Sequence, residues 1–195
     1  MSAKPAASGA ALAVPALPAP VAVSVDSSTA ALLAMDFMST SCTQTARPSC
    51  PASLPSVNAL LKKAHDAKMT VIYTKVGAGT IVPEVTAPQA SDITINSTGP
   101  DKFLGTTLED QLKQKKATTL VLTGTAANGA VLFTGSQATL RGFTVVVATD
   151  GISSATPFNT FLASYQLLQF PANPDNKPLA EKAVTLSRSD LITFK

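Results

Sequence analysis

Residues 119–151 read TLVLTGTAANGAVLFTGSQATLRGFTVVVATDG. With Thr118 included, the opening run to Thr123 is short, apolar and partly β-branched, the composition of a strand buried on both faces. A turn around Gly124 follows, and Ala127 to Leu140 then carries apolar positions at helical spacing. Arg141 and Gly142 supply the stop, because glycine takes the left-handed conformation in which helices commonly end. Phe143 to Ala148 (FTVVVA) repeats the buried-strand character. A strand, a helix and a second strand joined this way predict two parallel strands with a right-handed crossover.

The same alternation extends in both directions. Thr29 to Asp36 (TAALLAMD) is a continuous apolar run ending in a carboxylate, as a central parallel strand would be. Ser53 to Lys68 places Leu54, Val57, Leu60, Leu61 and Ala64 on one helical face, with Lys62, Lys63 and Asp66 opposite. Met69 to Lys75 reads as a strand, Thr107 to Lys115 as a helix, and Pro157 to Leu168 as a helix opened by its proline. A short strand near Ala183 to Leu186 and a helical turn near Asp190 complete the tail. Val76 to Pro100, rich in Gly, Pro, Thr and Ser, reads as a pocket-shaping loop. The predicted fold is a three-layer α/β/α arrangement around a mainly parallel sheet, Rossmann-like in architecture.

A chain of 195 residues fits one such domain, placed at residues 21–195, after an Ala/Pro-rich extended arm over residues 1–20. The arm is expected to drape over a neighbouring subunit or stay disordered. With 45% hydrophobic and 14% charged residues, the surface is short of charge, which predicts a homo-oligomer. The net charge of +3 is scattered apart from Lys113, Lys115 and Lys116 at a helix end, so no nucleic-acid partner is expected. No apolar run approaches the roughly 18 residues of a membrane-spanning helix, so no membrane partner is expected. Pro15, Pro18 and Pro20 interrupt the start of the chain and argue against a signal peptide, which gives a cytoplasmic expectation. Cys42 and Cys50 flank a loop holding Arg47 and Pro48. A bridge requires their Cα atoms within about 7 Å, and the unbridged pair is the preferred reading.

Three ordered segments, TAALLAMDF (29–37), DKFLGTTLEDQL (101–112) and residues 119–151, together resemble the isochorismatase-like hydrolases, a superfamily including nicotinamidases, carbamoyl-amide hydrolases and isochorismatases. The resemblance runs from about Val21 to Ser154, with a weaker echo in LSRSDLITF near the end. It implies a turn at Gly124–Asn128 with a nonproline cis peptide, followed by a helix that a nucleophilic Cys usually opens. It also implies an Asp base and a charge-stabilising Lys. The Asp corresponds to Asp36. The nucleophile's position falls on Ala130, which has no attacking atom, so the usual thioester route is excluded. Counting back from Phe103, the position of the Lys falls on Ser97. Lys102 and Lys75 are placed to deliver an ammonium from elsewhere, but a solvent-facing position is the preferred reading for each, since lysine is rarely buried unpaired.

What the resemblance leaves is Asp36 as catalytic acid or base, with Phe37, Ser97, Lys102, Phe103, Thr125, Ala126 and Ala130 as binding residues. Backbone N–H groups near Ala126 and Ala130 do not depend on side chains and can still serve an oxyanion. Isochorismatases also lack the Cys, and the resemblance implies protonation of a vinyl ether by Asp before water adds. The expected function is a family hydrolase with a nonstandard site acting on a small metabolite; the alternative is a catalytically lapsed binding or assembly protein of the same fold. A third reading makes a free Cys42 the relocated nucleophile. His65, in KKAHDAK, reads as a solvated helix residue. Asp150 reads equally as pocket wall or turn, and no metal or other cofactor is expected, because Glu84, Asp92 and Asp101 lack a ligand spacing.

Overall fold

The computed structural model describes residues 13–195. Among these residues are eight strands: β1 (Val23–Val25), β2 (Ala30–Met35), β3 (Thr70–Val76), β4 (Ile93–Ser97), β5 (Thr119–Thr125), β6 (Thr144–Ser153), β7 (Val184–Ser187) and β8 (Ile192–Phe194). Four α-helices lie among them: α1 (Ser49–Asp66), α2 (Leu108–Gln114), α3 (Leu132–Leu140) and α4 (Pro157–Gln169). Six strands form one sheet in the order β4-β3-β2-β5-β6-β7, and every pairing in it is parallel.

Strand alternation sends side chains to two separate cores. Leu33 and Met35 of β2 join Leu122, Val147 and residues from α2, α3 and α4 on one face. Leu32 and Ala34 join Val146 and the Leu54, Val57, Leu60, Leu61 and Ala64 stripe of α1 on the other. All six residues of β2 are buried, which explains its lack of polar alternation. The parallel β1–β8 pair lies on the α1 side, with Val23, Val25 and Ile192 in that core. The three-layer expectation holds.

Three local readings change. Val76 to Pro100 is not loop throughout: Ile93–Ser97 forms β4, an edge strand on β3 in which Ile95 and Ser97 are buried while Thr94 and Asn96 are exposed. Helix α1 begins four residues earlier than predicted, at Ser49, with Pro51 tolerated in its first turn, where N–H groups lack helical partners. The helix predicted from Ala127 opens with a π-helical turn, Ala127–Val131, before α3. Residues 1–12 of the arm lie outside the described residues. Beyond them, Leu17 packs on the core and the Asn176 side chain donates to the Ala19 carbonyl at 2.9 Å, so this part of the arm lies on its own chain. Among the described residues, no helix is long and apolar enough to cross a membrane.

Candidate active site

Asp36 leaves β2 at the C-terminal edge of the sheet, where parallel α/β sheets gather their ligands. Its backbone takes φ 56°, a left-handed conformation uncommon for a residue with a side chain and concentrated at functional positions. Its N–H donates to the Thr74 carbonyl at 3.1 Å. The carboxylate is buried, with Oδ1 accepting from Thr74 Oγ1 at 2.6 Å and Oδ2 lying 2.6 Å from Lys102 Nζ.

This contact corrects the solvent-facing expectation for Lys102 and, with it, the expectation that the site lacks a lysine. The Lys102 side chain is 0% exposed. Its ammonium has three donors, and three acceptors surround it: Asp36, Ser97 Oγ at 2.8 Å and the Gly99 carbonyl at 2.8 Å. Burying an ammonium is tolerable only with such complete pairing. Ser97 marks the right place in space, while the cation arrives from five residues further along. The loop is fastened by Lys102 N–H donating to Thr134 Oγ1 at 3.1 Å and by Thr106 Oγ1 donating to the Lys102 carbonyl.

The opposite wall is built from backbone. Gly124 is required because a Cβ there would stand 2.8 Å from both Cβ and the carbonyl oxygen of Met35. The Thr125–Ala126 peptide is cis and nonproline, as the resemblance implies. Ser153 Oγ donates to Thr125 Oγ1 at 2.9 Å, and the Ala126 carbonyl accepts from Gly129 and Val131 N–H at 3.0 and 3.3 Å. Asn128 exchanges hydrogen bonds with Ser154 through its N–H and its side-chain oxygen.

Between the walls lies a cavity of about 330 Å³, lined among others by Asp36, Arg47, Gly99, Thr125, Ala126 and Ala130. Its size suits a small metabolite. Asp36 and Ala130 therefore face one space, with Ser97 and Lys102 behind it. Arg47 is the charged lining residue that the sequence did not single out. Its Nη1 donates to Thr125 Oγ1 at 3.4 Å. Burial pulls its pKa below the usual arginine value, while the Asp36 carboxylate pushes the other way. The one available signal was its place between two cysteines shortly after the strand bearing Asp36.

Other expected site residues stand elsewhere. Phe37 is packed in the α1-side core and Phe103 in the opposite one, stacked on Phe143 at 6.1 Å with Arg141 4.5 Å above its ring. Each follows a site residue in sequence, and its side chain turns into a core instead. Cys42 and Cys50 form a disulfide with Cα atoms 5.2 Å apart, which corrects the unbridged reading and removes Cys42 as a nucleophile. His65 is not solvated: its Nε2 lies 2.9 Å from Asp92 Oδ2, with the side chain 10% exposed. Asp150 lies within β6 and accepts from Ser189 N–H and Oγ at 2.8 and 2.6 Å, so it is neither a turn residue nor part of the wall of the Asp36 cavity. Among the described residues, no three His, Cys, Asp or Glu side chains converge as metal ligands.

The fold is shared with solved structures. An isochorismatase family protein from Desulfovibrio vulgaris superposes with a TM-score of 0.73 at 19% identity, over 83% of this chain and 95% of that one. A cysteine hydrolase from Pseudomonas syringae pv. phaseolicola does so with a TM-score of 0.73 at 15% identity, over 92% and 95%. In sequence, the chain is 28% identical over 113 residues to a secreted isochorismatase effector, Isc1, of Verticillium dahliae, covering 52% of this chain and 60% of that protein. The chain thus spans about three fifths of the length of this curated relative. The isochorismatase domain model matches residues 30–170, a span holding Asp36, Lys102 and the Thr125–Ala130 turn, and this chain belongs to the isochorismatase family.

Proposed function

We propose that the chain is a hydrolase that cleaves a vinyl ether in a small metabolite without a covalent enzyme intermediate. The observation that carries this reading is the buried Asp36–Lys102 pair, 2.6 Å apart, at a cavity whose opposite wall presents Ala130 in place of a nucleophile. The pair holds one transferable proton. Lys102 passes it to the Asp36 carboxylate, Asp36 delivers it to the terminal vinyl carbon, and the substrate becomes an oxocarbenium ion. Water adds to that cation, and its proton returns to the pair. The resulting hemiketal collapses to a ketone and an alcohol. Backbone N–H groups around Ala126 and Ala130 serve a carbonyl or carboxylate oxygen of the substrate. The similarity to a secreted isochorismatase effector supports the same chemistry.

A second reading, ligand binding without turnover, is favoured by Ala130 alone. A panel of vinyl ethers, esters and amides separates the two, with ligand-induced changes in Tm measured in parallel. Turnover confined to vinyl ethers is expected. Amide turnover would overturn the proposal, and a raised Tm without turnover of any compound would establish the second reading.

The Cys42–Cys50 bridge and the secreted relative support an oxidising compartment, in place of the cytoplasmic expectation. Exposed Phe133, Leu140 and Phe158 on α3 and α4 support a homo-oligomer. Sedimentation velocity tests it, and a monomer at micromolar concentration would overturn it.

A further inference from the structure

The loop between Cys42 and Cys50 links β2 to α1 and brings a guanidinium to the same cavity as Asp36. Arg47 is half-buried, and among the described residues it has no carboxylate partner within salt-bridge distance. A guanidinium has five N–H donors in a planar fork, and the contact with Thr125 Oγ1, at 3.4 Å, is long for a hydrogen bond. That bond is a weak reason to hold a cation in a half-buried place. Asp36 and Lys102 cancel each other, so Arg47 leaves the site with one net positive charge. A carboxylate meets both the charge and the bidentate geometry.

The position of the guanidinium is fixed by the loop. Arg47 N–H donates to the Thr43 carbonyl at 3.0 Å, and its own carbonyl accepts from Cys50 N–H at 2.8 Å. Cys42 N–H donates to the Met38 carbonyl at 2.8 Å, and Cys50 is the second residue of α1. The bridge therefore clamps both ends of the short segment carrying Arg47, one end to the chain just after Asp36 and the other to a packed helix.

From this geometry we infer that the Cys42–Cys50 loop is a recognition element: Arg47 binds a carboxylate of the ligand, and the disulfide holds Arg47 where it can do so. This rests on the hydrolase reading only for the identity of the pocket. Arg47 is a specificity-determining residue, and the two cysteines are positioning residues that act through it.

The test is calorimetric titration with benzoate and with benzamide, its neutral isostere, so that no turnover is needed. Oxidised wild-type protein is expected to bind benzoate and to discriminate against benzamide. Arg47→Gln should weaken benzoate about 10- to 100-fold and leave benzamide unchanged, while Arg47→Lys should fall between. Reduction with a phosphine, or the Cys42→Ser/Cys50→Ser double variant, should weaken benzoate about 2- to 10-fold, with circular dichroism showing the fold retained. Asp36→Asn should bind benzoate at least as tightly as wild type. Arg47-dependent binding together with failure of every vinyl ether would sink the hydrolase reading and leave this one standing. No benzoate binding by the wild type, wild-type affinity in Arg47→Gln, or unchanged affinity after the bridge is opened would overturn it.

Discussion

The two walls of the cavity are made in opposite ways. On the β2 side, the wall's structure resides in side chains: Asp36 is gripped by Thr74 and Lys102, and Lys102 by Ser97 and Gly99. On the β5 side it resides in main chain, with Gly124 against Met35, a cis peptide at Thr125–Ala126 and an alanine where the family places its nucleophile. The turn keeps its shape without the nucleophile because Gly124, Thr125 and Ser153 hold it, none of which involves the side chain at position 130. A site divided this way can lose the group on one wall and retain the charges on the other. On the proposed reading, the chemistry that remains is proton transfer.

If the β2 wall depends on mutual satisfaction, removing one partner must cost more than any change on the β5 wall. Lys102→Met leaves Asp36 buried without its cation and is expected to destabilise the fold by about 3–5 kcal/mol in urea denaturation. Adding Asp36→Asn should recover part of that loss, and strict additivity of the two changes would break the account of the pair.

Next in size is the clamp on Arg47. Opening the Cys42–Cys50 bridge frees a loop of nine residues, counting both cysteines, and should lower stability by about 2–3 kcal/mol, read as a reduced midpoint in urea with and without reductant. On the β5 wall, Gly124→Ala drives a Cβ into the Met35 main chain and should cost about 1–3 kcal/mol, with reduced turnover because the turn must move. An unchanged urea midpoint would mean that the close approach does not set the turn.

The smallest expected effect is that of Ala130→Cys. Ala130 is buried in the cavity wall, and one added sulfur facing the cavity should change stability by less than about 1 kcal/mol. Both native cysteines are bridged, so the variant's new thiol is the one available to iodoacetamide, and mass spectrometry should find it alkylated. If position 130 truly completes the wall, this variant should also gain slow hydrolysis of activated amides. A thiol that reacts only after unfolding would break the comparison.

Most of the sheet was legible because buried parallel strands leave a plain mark: β2, β3, β5 and β6 are apolar runs with no wet face. β4 was missed because an edge strand buries only alternate residues. Ile93 and Ile95 were its trace within a stretch dominated by turn formers. Asp36 was legible at the end of its apolar strand, and Thr125, Ala126 and Ala130 through the resemblance of their turn to the family's. Lys102 was named as a binding residue, but its burial against Asp36 was not legible, because counting residues locates a backbone position and a long side chain reaches well beyond its own. Arg47 was illegible for a different reason: its role depends on a bridge that closes in three dimensions.

On the proposed reading, the Asp36 carboxyl carries the reacting proton in a site with no nucleophile. Steady-state hydrolysis of a vinyl ether carboxylate by wild type and Asp36→Asn tests it most directly, with benzoate binding confirming an intact pocket. A fall in kcat of about 10²- to 10⁴-fold is expected in the variant. A kcat equal to that of the wild type would contradict it.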